Sequence, residues 1–407
     1  MSGGDIHVDG LPVGDFEIKK SVLTQRGQIV GASAAATPAA IPAPAGNNKL
    51  LISDYSQPSG WGTIDPPDLE TTISHMFYRF HYDTRMRFST AGYVFPGGHP
   101  GELRKVAIRG SASDVWQAGA LKGSAAFEQE FTNDGSGNLL GDVFTTVDES
   151  SLVGRVANIA ATSTNIILMA STYRRAATYV FGRTFTGSLT MRANSGGTAG
   201  AGFADHPVPG SGTLNSVSWR RELGDGGTIG VYVNGALAHS FVIRAGEQHG
   251  THIWGGESLV SGDYFELRST SGFASSAETV FVAGVDYGQD SEIFTFGGDT
   301  GTGAFYLFPF GNSSEIAAAA SSQETRHPVP ANYSLTDWAY YANSAGGSPV
   351  MGVYVNGILA DSITYTTPRG QGAFTSPISL SAGDYLELRE TGSSFNFCNF
   401  NLLGEYV

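Results

Sequence analysis

GVYVNGALAHS at residues 230–240 and GVYVNGILADS at residues 352–362 differ at two positions. Downstream of each lies a second matching segment, SLVSGDYFELR at 258–268 and SLSAGDYLELR at 379–389. Upstream of each lies HPVP, at 206–209 and 327–330. Matching residues are 121 or 122 positions apart, and three segments in one order at one spacing mark a duplicated domain. FGRTFTGSLTM at 181–191 corresponds to FGGDTGTGAFYLF at 296–308, with about five extra residues in the second copy's next loop, where surface connections usually vary.

The repeated residues carry turn and strand chemistry. Asn234-Gly235 and Asn356-Gly357 lie between apolar runs and fit the positive φ of a two-residue hairpin turn. A regular hairpin places Val233 opposite Ala236 and Val231 opposite Ala238, with Tyr232 and Leu237 paired on the other side. Both faces are then apolar, which predicts a hairpin held between two packed layers, or between a core and a neighbouring subunit. Asp263 and Asp384 follow glycine and precede a strand, the position of a turn aspartate bonding nearby amides. Glu266 with Arg268, and Glu387 with Arg389, read as same-face surface pairs worth at most ~1 kcal/mol each.

The order of apolar strand, VNG, strand, long loop and L-x-x-G-D-Y-x-x-L-R resembles the trimeric jelly rolls of tumour necrosis factor and of the complement globular heads. Phage fibre and head-fibre tips carry similar modules, and the resemblance covers about 179–407. It implies an all-β chain of tandem antiparallel β-sandwich (jelly-roll) domains with an extended N-terminal arm. It also implies a homotrimer, in which a three-fold axis covers the second apolar face of each hairpin. The chain lacks the collagen-like stalk that often precedes such heads.

The 407 residues suit two to four domains. Residues 1–48 form an N-terminal arm whose stretch 31–46, GASAAATPAAIPAPAG, is too proline-interrupted for one helix and reads as a linker. Residues 49–178 show neither VNG nor GDY and read as a separate β-rich shoulder domain, in which 114–122 (DVWQAGALK) fits a short helical turn. The two jelly-roll repeats take 179–290 and 291–407. A net charge of −14 and no long basic run argue against nucleic acid. One cysteine, Cys398, rules out an intrachain disulfide and fits folding in a reducing cytoplasm. The N-terminus lacks the pattern of a secretory signal, and apolar runs such as 166–170 fall short of the ~20 residues that span a bilayer.

Catalytic signatures are not found. The nine histidines are His7, His75, His81, His99, His206, His239, His249, His252 and His327. His249 and His252 are the closest pair, in a glycine-containing stretch that reads as loop, with no third metal ligand set by spacing. Residues 134–138 (DGSGN) begin like a calcium loop, but Thr145 stands where a bidentate Glu is required. Glu128 and Glu130 are a carboxylate pair of the kind a glycosidase uses, without a distance to test. Cys398, within FNFCNFN, reads as a strand residue. No catalytic residue, cofactor or metal ligand is assigned.

The features favour a non-enzymatic virion fibre or spike protein of a tailed phage. Residues 1–48 would anchor it to capsid or tail proteins, and the sandwich tips would contact a host-surface glycan or receptor. Trp254, Trp338, Tyr340 and Tyr341 are the candidate sugar contacts. The alternative is a polysaccharide-active enzyme or a carbohydrate-binding accessory protein.

Overall fold

The computed structural model describes residues 205–221, 226–271, 278–299, 325–342, 349–364, 368–390 and 397–407. It also describes the short stretches 191–193, 305–309 and 320–322, and, up to residue 184, the strands alone. Contacts divide the chain into Met1–Thr71 and Thr72–Val407.

In the first unit β1 (Ile29–Ala32) pairs antiparallel with β2 (Pro38–Ile41), and β3 (Leu50–Ser53) with β4 (Trp61–Ile64). The Ala/Pro-rich stretch is therefore no uninterrupted spacer. Pro38 stands at the end of its ladder, where a missing amide hydrogen costs least. This unit also runs on to Thr71, beyond the 48/49 boundary expected from composition.

The second unit contains three sandwiches. Lobe 1 has β5 (Ile73–His81), β6 (Tyr93–Phe95), β7 (Gly101–Arg109), β8 (Val115–Lys122), β9 (Ala125–Thr132), β10 (Asn138–Val147), β11 (Leu152–Asn158) and β12 (Ser163–Thr172). Lobe 2 has β13 (Ala177–Thr184), β14 (Arg192–Ala193), β15 (His206–Pro207), β16 (Gly212–Arg221), β17 (Gly227–Val233), β18 (Ala236–Ile243), β19 (His249–Leu259), β20 (Tyr264–Ser271) and β21 (Glu278–Asp286). Lobe 3 has β22 (Ser291–Asp299), β23 (Phe305–Tyr306), β24 (Phe308–Pro309), β25 (His327–Pro328), β26 (Tyr333–Ala342), β27 (Val350–Val355), β28 (Ile358–Thr364), β29 (Arg369–Leu380), β30 (Tyr385–Glu390) and β31 (Phe397–Tyr406).

All three lobes share one connectivity. Let positions a to h be β5–β12 in lobe 1, β13 and β15–β21 in lobe 2, and β22 and β25–β31 in lobe 3. One sheet then runs a-h-c-f and the other b-g-d-e in every lobe, with β14 and β24 added beside position a in the last two and β23 added beside position g in the third. The shoulder is thus a third jelly roll, and DVWQAGALK lies in the d strand β8 rather than in a helical turn.

The three lobes close on one another. The a strands β5, β13 and β22 all approach within 8 Å (Cα–Cα). The b strand of lobe 1 lies on the c strand of lobe 2, that of lobe 2 on the c and h strands of lobe 3, and that of lobe 3 on the c and h strands of lobe 1. Head-to-tail contacts that return to their start form a ring. Ala107 of lobe 1 is accordingly buried with the lobe 3 core, while Ile293 and Leu403 of lobe 3 are buried with that of lobe 2. The Nδ2 groups of Asn399 and Asn401 donate to the backbone oxygens of Asp205 and Pro207, at 3.0 and 2.7 Å. The strongest of these contacts run through the a, b, c and h strands, while Leu237 and Leu359 on the outer faces of the d–e hairpins are exposed.

The repeated motifs have local causes. Asn234 and Asn356 both adopt φ 51°, and Gly235 and Gly357 follow at 79° and 78°. Each asparagine Nδ2 donates to the Oδ1 of Asp263 or Asp384 at 2.7 Å, and each asparagine Oδ1 accepts the amide of Tyr264 or Tyr385. The other aspartate oxygen accepts the amide of Val260 or Ser381. VNG and GDY are two halves of one clamp tying the d–e turn to the start of strand g, which fixes both residues for structural reasons.

Two expectations change. Val233 does face Ala236 and Tyr232 faces Leu237, but Val231 then pairs with His239, leaving Ala238 as a bulge. Lobe 3 has the same bulge at Ala360. The Glu/Arg pairs also differ, because neither glutamate is on the surface. Glu266 is 5% exposed and pairs with Arg268, whose guanidinium lies 4.1 Å above the Tyr232 ring. Glu387 is 2% exposed and instead takes Ser321 and Thr325 hydroxyls at 2.6 and 2.8 Å, with Arg326 at 3.6 Å. Arg389 covers the Tyr306 ring.

Candidate functional site

The bulge at Ala238 decides what the outer edge of lobe 2 presents. In a regular hairpin His239 would oppose Gly230 and face outward. One inserted residue moves it opposite Val231, which is fully buried, so His239 turns toward the space between the sheets. On β19, His252 opposes the equally buried Val217, and Trp254 follows two residues later on the same side. The stretch read as loop from its glycines is this strand. Its Gly250 is required by packing, since a Cβ there would lie 2.4 Å from Trp219 Cζ2.

These side chains form a ladder of rings. Trp219 stacks on Phe241 at 5.6 Å, Phe241 on His252 at 4.8 Å, His252 against His239 at 5.2 Å, and His239 on Trp254 at 4.6 Å. The last contact is nearly parallel, at 8°. His239 and His252 meet at Nε2–Nε2 2.9 Å, a hydrogen bond in which one ring donates and the other accepts. Burial, and then the neighbouring His239, hold the His252 imidazole below its ordinary pKa, so it stays neutral near pH 7. Phe241 and Trp219 are buried, whereas His239, His252 and Trp254 are half-exposed. The outcome is a flat, polarisable, partly wetted surface with imidazole nitrogens at its centre.

Lobe 3 supplies an internal control. Equivalent pairings place Asp361, Ile363, Gly372 and Phe374 where lobe 2 has His239, Phe241, His252 and Trp254. The same scaffold thus carries the ladder in one copy and not in the other.

Of the residues expected to touch sugar, only Trp254 is in this ladder. Trp338 stacks on Tyr340 at 5.9 Å, and Tyr340 is buried against Phe400. Tyr341 lies half-buried beneath the Arg369 guanidinium. His249 and His252 share β19 but not a role, since His249 is exposed. Cys398 is a fully buried strand residue. Glu128 and Glu130 lie in β9 and Thr145 in β10, while 134–137 fall outside the described residues. His7 and His99 also fall outside them, and His75 and His81 lie in β5. Among the described residues no three His, Cys, Asp or Glu side chains cluster as a metal site, and no helix is long and apolar enough to cross a membrane.

No protein family and no curated protein matches the chain. Among solved structures it is similar to the insecticidal delta-endotoxin Cry8Ea1 of Bacillus thuringiensis, at 9% identity and a TM-score of 0.20. That alignment covers 80% of this chain and 54% of the toxin, so the chain spans about half the toxin's length. So loose a likeness carries no functional argument.

Proposed function

We propose that the chain is the surface-binding head of a virion fibre or spike, and that the ladder of His239, His252 and Trp254 holds a sugar ring. The observation that carries this reading is the ladder's presence in lobe 2 and its replacement in lobe 3. Residues that serve only the fold, such as the Asn/Asp clamp, are the same in both lobes, whereas a binding edge is free to diverge. A half-exposed indole flanked by imidazoles suits a pyranose, whose apolar face stacks on the rings while its hydroxyls meet ring nitrogens. Trp254→Ala is expected to weaken binding on a glycan array at least ten-fold, with the fold intact by circular dichroism. Undiminished binding by that variant would remove the ladder from the reading.

In this proposal one chain makes the three-fold head, in place of the homotrimer expected from its sequence. The particle attachment assigned to residues 1–48 stays with the first unit. Light scattering is expected to give the mass of a single chain, 42.7 kDa, at micromolar concentration. A mass three times larger would restore the trimer.

A further inference from the structure

We propose that His239 and His252 form a two-imidazole site for a divalent first-row transition metal, best suited to Cu(II) or Ni(II). Their Nε2 atoms stand 2.9 Å apart. Metal–imidazole bonds of about 2.0–2.1 Å meeting at a right angle place the two nitrogens about 2.9 Å apart, whereas a tetrahedral angle needs about 3.4 Å. The separation therefore fits neighbouring corners of a square-planar or octahedral ion, the geometry favoured by Cu(II) and Ni(II), more closely than tetrahedral zinc.

The surroundings favour the same use. Trp254 and Phe241 stack on the outer sides of the imidazoles and limit their rotation. The two histidines project from strands of opposite sheets, β18 laddered to β17 and β19 to β16, so the sandwich itself holds them face to face and little ordering is required on binding. In the metal-free state one ring donates its Nε2 hydrogen to the other. On binding, that ring moves its proton to Nδ1 and both Nε2 lone pairs turn to the metal. No third His, Cys, Asp or Glu joins the pair among the described residues, so water fills the other positions and the site stays open to an oxygen ligand. Lobe 3 has lost the pair, with Asp361 and Gly372 in its place.

The inference stands apart from the glycan reading, and the two fail separately. Full-length, tag-free protein is titrated with Cu(II) and Ni(II) by calorimetry, and the Cu(II) form is examined by electron paramagnetic resonance. One tight equivalent and two coupled nitrogens are expected. His239→Ala and His252→Ala should each weaken this equivalent at least ten-fold. His249→Ala, on the exposed side of the same strand, should retain it. An unchanged equivalent in both His239→Ala and His252→Ala, or its loss in His249→Ala alone, would overturn the proposal. If either alanine variant misfolds, His239→Asn serves in its place, and a two-nitrogen signal from that variant would likewise overturn it.

Discussion

Unfolding free energy is expected to fall by about 4 kcal/mol between pH 7 and pH 5, because His206 and His327 must charge inside the core. Both rings are completely buried. His206 lies among Tyr179, Phe181 and Phe265 and donates from Nε2 to the Val180 carbonyl at 2.9 Å. His327 packs on Phe294 and Phe296 and donates from Nδ1 to the Pro328 carbonyl at 3.0 Å. Burial lowers their pKa values to about 4 and about 3, from the ordinary 6.5. A base whose pKa falls on folding leaves stability intact above 6.5 and removes it as pH drops, down to the folded value. At pH 5 each group sits about 1.5 units into that window, at about 1.4 kcal/mol per unit. The loss is a large share of a typical 5–15 kcal/mol total. Asp205 has the opposite sign, since burial raises its pKa. Urea midpoints at pH 7, 6 and 5 for the natural chain and for His206→Phe with His327→Phe cancel that contribution. The double variant should show a much flatter pH dependence, and parallel curves would refute the assignment. Both histidines lie in b strands, the segments that reach onto the next lobe, so acid should loosen the ring of lobes first.

The second large effect concerns the contact between lobes 2 and 3. Arg369 pairs with Asp205 at 2.5 Å and lies between the rings of Tyr264, 3.7 Å from its centroid, and Tyr341, at 5.1 Å. Asp205 is 4% exposed, so truncating its partner strands a carboxylate in the interface. Arg369 is itself 41% exposed, and solvent screening brings the expected cost of Arg369→Ala down to about 2 kcal/mol. Adding Asp205→Asn should recover much of that loss, since a neutral amide no longer needs the guanidinium. A double variant as unstable as the sum of its parts would show that stacking on the two tyrosines, and not charge pairing, is the source.

The second and third lobes were legible because their turns have a strict chemistry. Asn-Gly at the tip and Gly-Asp before strand g leave few alternatives, and the duplication presents each twice. The first lobe was illegible for the converse reason. Its d and e strands, β8 and β9, flank Gly123-Ser124, itself an acceptable hairpin pair, but alanine-rich flanks disguise it as a helical segment. Without VNG or GDY nothing in its sequence tied it to the other two. The candidate site was hidden by one residue. Reading Val231 opposite Ala238 sends His239 to solvent, and only the bulge brings it to His252. Internal comparison offered a usable signal, since His239 and Asp361 are one of only two differences between otherwise identical hairpins.

Three jelly rolls on one polypeptide close a ring that dilution cannot take apart, because each lobe meets its neighbours as a tethered segment and not as a free molecule. The covalent link also releases the lobes from identity. Three separate copies of one chain must present any edge three times, whereas here a single substitution alters one lobe and leaves two untouched. The ladder of lobe 2, replaced in lobe 3 by Asp361 and Gly372, is that freedom already in use.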